Sequence, residues 1–251
     1  MDHQERYEEY LHLAKAEGFT KEYLTLLGKL GRFDQAVSVA QAEMTKLTEA
    51  KALAETLREQ NQHDQALNIA LKGFQLENDN HYGAFDFAIW TSELAAGLGR
   101  DDEALEVRII AFKLKPSFKD YQKIRQITEE RAGEEGWSIT RTSLLNYLQT
   151  YTEWGVEKAK VDIFLYEERV EDAIATVSDL RSYDGQLIMR VMDVAIASHS
   201  QWVIDNARPR AESIMDEGKA QYYNHAVEWL KRVKAAYQIK DLPGLVTTRS
   251  W

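Results

Sequence analysis

The chain has 251 residues, 44% hydrophobic and 29% charged, with a formal net charge of −10 and no cysteine. That mixture excludes an intrinsically disordered chain, and the missing thiols exclude disulfides, thiolate catalysis and cysteine-ligated zinc or iron–sulfur sites. Net acidity argues against a duplex-binding module, whose affinity comes mostly from a basic face that neutralises phosphates.

Three prolines, Pro116, Pro209 and Pro243, punctuate the whole length, and the abundant Ala, Leu, Glu, Gln and Lys favour helix nearly everywhere. In chain order, Asp2 caps a first helix that Gly18 ends, and Thr20 caps a second with Tyr23, Leu24, Leu27 and Leu30 inward. A third starts near Phe33, Thr48 opens a fourth, and Asn61-Gln62-His63 turns into a fifth. After the polar break Asn78-Asp79-Asn80 comes an aromatic segment with Tyr82, Phe85, Phe87 and Trp90. Its partner runs from Asp102 to Leu114, where Lys115-Pro116 stops it, and Ser117 caps the next helix. Glu129 to Gly136 reads as the weak point between two halves. Trp137–Tyr151, Val156–Leu165, Val170–Leu180 and Leu187–Ala197 follow, with a turn at Ser182–Gly185. Ser200 caps a helix that Pro209 kinks or divides, and Gly218 ends that unit. Lys219–Gln238 is the last long helix.

The turns repeat. Leu30-Gly31-Arg32-Phe33-Asp34-Gln35-Ala36 is nearly restated by Leu98-Gly99-Arg100-Asp101-Asp102-Glu103-Ala104, with looser copies ending at Ala66 and Ala173. Gly ends one helix, an acidic residue favours the start of the next, and the small alanine lets the two backbones close. The anchor alanines are separated by 30, 38 and 69 residues. The last gap is about two units of ~34, the length of a tetratricopeptide repeat. One such pair cannot bury its own apolar face, so neighbours must stack. The expected fold is therefore all-α, a right-handed α-solenoid of divergent helix–turn–helix pairs. Residues 1–132 form the N-terminal repeats, 133–240 the C-terminal repeats and 241–251 a loose tail.

No glycine-rich phosphate loop or HExxH is present, and the six histidines share no helical face at ligand spacing. Adjacent carboxylates such as Glu129-Glu130 point in different directions on a helix and read as a solvated face. No catalytic, cofactor or metal residue is assigned. The tryptophans lie at apolar helical spacing, which suits gap-filling between stacked pairs or, alternatively, anchors for a partner. Trp90, Trp202, Tyr222, Tyr223 and Trp229 are the partner-binding candidates. From Asn206 to Lys240 there are seven Lys/Arg against four Asp/Glu, a mild basic excess.

The wording Gln201-Trp202-Val203-Ile204 and Gly218-Lys219-Ala220-Gln221-Tyr222-Tyr223-Asn224-His225-Ala226-Val227-Glu228-Trp229-Leu230, with the Leu-Gly-Arg-x-Asp-x-Ala turns and Ala111–Ser117, carries a likeness. It resembles the helical region that follows the zinc finger in bacterial SWIM zinc-finger proteins, over about Tyr23 to Tyr237. That family's finger needs cysteines, so no zinc ligand carries over. The resemblance implies a helical scaffold serving a nucleic-acid- or protein-binding module. A non-enzymatic scaffold with a protein or peptide partner is the expected function, and a nucleic-acid-associated accessory module the alternative. The polar, acidic Met1–Glu9 is unlike a secretory leader and no apolar run approaches a membrane span, so a cytoplasmic chain with no membrane partner is expected.

Overall fold

The computed structural model describes residues 3–77, 81–180, 184–216 and 220–240. Among the described residues the chain is all-α, with no strand. The first helices are α1 (His3–Ala16), α2 (Thr20–Lys29), α3 (Phe33–Glu43), α4 (Leu47–Glu59) and α5 (His63–Gly73). Next come α6 (His81–Gly97), α7 (Asp101–Leu114) and α8 (Phe118–Thr150). The series closes with α9 (Glu157–Tyr166), α10 (Val170–Ser178), α11 (Gly185–Ala195), α12 (Ser200–Asp216) and α13 (Tyr223–Lys240), the last preceded by a 3-10 turn at Ala220–Tyr222. None of these helices is long and apolar enough to cross a membrane. The chain divides into two compact units, Met1–Arg141 and Thr142–Trp251. That division lies at 141/142 rather than at the expected 132/133, and Gly133 (φ 64, ψ −164) is a non-helical point inside α8. The charged Glu129–Gly136 stretch is otherwise helical.

One backbone conformation recurs at the junctions. After α2, Gly31 takes φ 72, a region that costs an L-residue a Cβ clash. Arg32 follows at φ −87, ψ 55, and its amide donates to the Leu27 carbonyl at 2.9 Å. This is the six-residue closure of a Schellman turn. Ala36 then donates to the Arg32 carbonyl at 2.9 Å and opens the next helix. Asn61, Gly99 and Glu168 repeat the positive φ at 60, 71 and 57. The amides of Gln62, Arg100 and Arg169 repeat the closure onto Leu57, Ala95 and Phe164 at 2.9, 2.9 and 2.7 Å. Ala36, Ala66, Ala104 and Ala173 are all buried, as close approach of paired helices requires. A fifth copy joins α1 to α2, where Gly18 has φ 71, the Phe19 amide donates to Ala14 at 2.8 Å, and Tyr23 stands in the alanine's place.

Consecutive helices pack on each other, α4 on α5, α6 on α7, α9 on α10 and α12 on α13, while α2 packs on α4 as well as α3. In the first unit Leu24, Leu27, Leu53, Leu57 and Ile69 fill the core, and Phe74, Phe87 and Trp90 stack in series with centroids 5.2 and 5.5 Å apart. Gly73 is where α5 meets α4: a Cβ there would lie 2.5 Å from the Ala50 Cβ. The linkers on either side of α4 and α5 are clasped by their backbones. The Leu47 amide donates to the Glu77 carbonyl at 2.9 Å and the Glu77 amide to the Thr45 carbonyl at 3.2 Å.

Helix starts differ from expectation where the capping group is not the residue at the boundary. Phe19, with no capping side chain, precedes α2, and Thr20 is its first residue. The Glu49 carboxylate accepts from the Thr45 and Lys46 amides at 2.8 and 3.1 Å, so α4 begins at Leu47 rather than after a Thr48 cap. Ser117 does cap α8, its hydroxyl accepting from the Asp120 amide at 3.0 Å. Pro209 lies inside one helix, α12, rather than between two. Asp2, the 78–80 break, Ser182, Tyr183, Gly218 and the 241–251 tail lie outside the described residues.

Candidate functional site

The five predicted aromatic residues do not come together. Trp90, on α6 in the first unit, is half-buried. The Arg58 guanidinium of α4 lies 5.5 Å over its ring, and with Glu55, Glu59 and His63 the two line a surface depression of about 390 Å³. The indole stacks on Phe87 and lies beneath the arginine, so it is already engaged within the fold while still lining the depression.

The other four belong to the second unit. Trp229 is 1% exposed, with the Arg210 guanidinium 5.7 Å from its ring. It is a core residue of the α12–α13 pair, and the expectation that it anchors a partner is corrected: the fold buries the side chain. Trp202 is half-buried on α12, where its carbonyl accepts from the Asn206 side chain at 2.9 Å. Tyr222, in the 3-10 turn, and Tyr223, at the start of α13, are 45% and 43% exposed.

A further depression holds none of them. It is a cleft of about 360 Å³ in the second unit, between the 151–156 segment, α9 and α10. Val156, Phe164 and Ala175 give it apolar lining, and Glu153, Glu157, Asp172 and Asp179 bring carboxylates to it. Lys160 supplies its cation, with the Nζ donating to the Tyr151 carbonyl at 3.0 Å. Burial pulls the Lys160 ammonium below the ordinary lysine range, while Asp179, Glu157 and Asp172 act in the opposite sense. Burial, and then the neighbouring Glu153, push the Tyr151 phenol up to about 12. The Tyr151 hydroxyl donates to Glu153 at 3.2 Å. Asp172 is held by Gln149 at 2.8 Å and Arg169 at 2.5 Å, so it belongs to the frame of the cleft. Carboxylates, a hydroxyl and one amine over an apolar floor can seat a polar side chain or small ligand.

Sequence reasoning missed this cleft because its polar residues are scattered from Gln149 to Asp179 and converge only when α10 folds back on α9. The signal available was the spacing Lys160, Asp172, Asp179, which carries no motif. Among the described residues no group of three or more His, Asp or Glu could hold a metal ion. A scan against models of known protein families and a search of curated proteins each found no match.

Proposed function

We propose that the chain is a non-enzymatic helical-repeat scaffold, a right-handed solenoid of tetratricopeptide-like pairs that holds a protein or peptide partner. The observation that carries this reading is the shared conformation of the junctions at Gly31, Asn61, Gly99 and Glu168. A turn reproduced with four different sequences serves stacking and leaves the outward residues free to vary. The acidic composition and the open, mixed lining of the cleft suit a polypeptide ligand. A cytoplasmic location belongs to the same proposal and rests on the cysteine-free composition.

The alternative, an accessory module of a SWIM-type nucleic-acid-associated protein, draws on the Arg208–Lys240 cations. Three of these already have a carboxylate: Arg208 with Glu212 at 2.7 Å, Lys231 with Glu228 at 2.6 Å and Arg232 with Asp193 at 2.7 Å. The scaffold is therefore the better supported reading. Panning an unbiased peptide library against the purified chain tests it. Enriched peptides that bind reversibly and compete with one another support the scaffold. No enrichment over a helical control protein, together with salt-sensitive retention of duplex or single strands at low ionic strength, replaces it with the alternative.

A further inference from the structure

The outer side of α13 carries a regular row that the fold leaves exposed, although Tyr237 in it hydrogen-bonds with Arg208 of α12. Tyr223, Val227, Leu230 and Tyr237 are 43%, 48%, 37% and 43% exposed, although the same helix buries Ala226, Trp229, Val233 and Ala236. Their intervals of four, three and seven residues leave one vacant register position, and Lys234 stands in it. At about 100° per residue the five positions fall within an arc of about 80° and extend about 21 Å along the helix. Isolated exposed apolar residues are ordinary on a surface, but a four-turn row in heptad register is the pattern of a helix seam.

Lys234 decides what covers it. It is exposed, and among the described residues it has no ion pair, whereas Lys231 and Arg232 beside it both have carboxylates. Glu228, the one acid of α13, is turned well away from the row and is bonded to Lys231 and Arg232. A second copy does not satisfy Lys234. Laid antiparallel on Leu230, each Lys234 would face Ala226 and Val227 of the other copy, and laid parallel it would face the other Lys234. An ammonium enclosed in an apolar seam without a counter-charge is costly, so the covering helix has to bring its own carboxylate.

We propose that α13 is the docking face for an acidic amphipathic helix of a partner protein, with apolar residues on the Tyr223–Val227–Leu230–Tyr237 row and an Asp or Glu at the level of Lys234. The proposal rests on the scaffold reading and names the class of partner.

The test uses the whole chain and two labelled helical peptides of about 16 residues with identical leucine rows, one flanked by Glu and the other by Lys. Anisotropy is read at low salt. Non-specific attraction to a chain of net charge −10 favours the Lys peptide, so preference for the Glu peptide has to come from a local cation. The Glu peptide is expected to bind about tenfold tighter, with Lys234→Glu reversing the order. Leu230→Ser is expected to weaken it by about tenfold. Both substitutions are at exposed positions, and unchanged circular dichroism checks that the fold is retained. Equal binding of the two peptides, binding of neither, or an order untouched by Lys234→Glu overturns the proposal. So does a dimer in sedimentation equilibrium that Leu230→Ser dissolves, which would assign the face to a second copy. Library peptides that bind but ignore both substitutions leave the scaffold standing and remove only this assignment.

Discussion

Among the described residues Glu168 is the one acidic residue in the left-handed region, at φ 57, in a position that glycine holds at Gly31 and Gly99. The left-handed conformation costs an L-residue about 1–2 kcal/mol. Glycine removes that cost but gives the unfolded chain extra freedom worth about 0.4–1 kcal/mol. Glu168→Gly is therefore expected to stabilise the second unit by about 0.5–1 kcal/mol. The side chain is exposed, so little packing is lost with it. At a urea m-value of about 2 kcal/mol/M the midpoint should rise by about 0.3–0.5 M with no change in m. Asn61→Gly should gain less, because asparagine tolerates the same region, and Gly99→Ala should lose about 0.5–1 kcal/mol. A Glu168→Gly midpoint that stays or falls, or an Asn61→Gly gain as large as that of Glu168→Gly, would show that the junctions are not under the strain their angles indicate.

Further expectations concern the core and the cleft. Gly73→Ala drives a methyl to 2.5 Å from the Ala50 Cβ and should cost about 1–3 kcal/mol in thermal unfolding. Trp229→Ala should cost about 3–5 kcal/mol, against within about 0.5 kcal/mol for Tyr223→Ala. Comparable losses at both positions would contradict the burial that separates them. A Tyr151 phenol raised to about 12 means the fold keeps a proton that the unfolded chain releases near pH 10. Its contribution is complete below pH 10 and is lost as pH rises toward 12. Tyr151→Phe should remove one late-titrating phenol from the phenolate absorbance curve, and a curve that loses an ordinary phenol instead counts against the buried environment.

The helices were legible because their junctions are written in local chemistry. Gly31 and Gly99 announce the positive φ, and the alanines five residues on announce close approach. The Gly18–Phe19–Tyr23 junction has the same backbone but hides it, since aromatic residues replace Arg and Ala around it. Capping by Glu49 was also hidden, because its side chain reaches back past two residues to satisfy the Thr45 and Lys46 amides. Aromatic fate was the least legible. Tyr223 and Trp229 occur at similar apolar spacing in one helix, yet Trp229 is buried and Tyr223 is exposed. Which stripe a neighbour covers is a property of packing, and it decides between a core residue and a contact residue.

The backbone clasp between Thr45, Leu47 and Glu77 has a kinetic consequence. The Leu47 and Glu77 amides each donate to a carbonyl on the other side of the α4–α5 pair, Glu77 and Thr45 respectively, which closes that segment into a loop. Opening either linker then requires parting the other. The pair is thereby made a single cooperative opening unit, and the Leu47 and Glu77 amides should exchange with solvent as slowly as the interiors of α4 and α5.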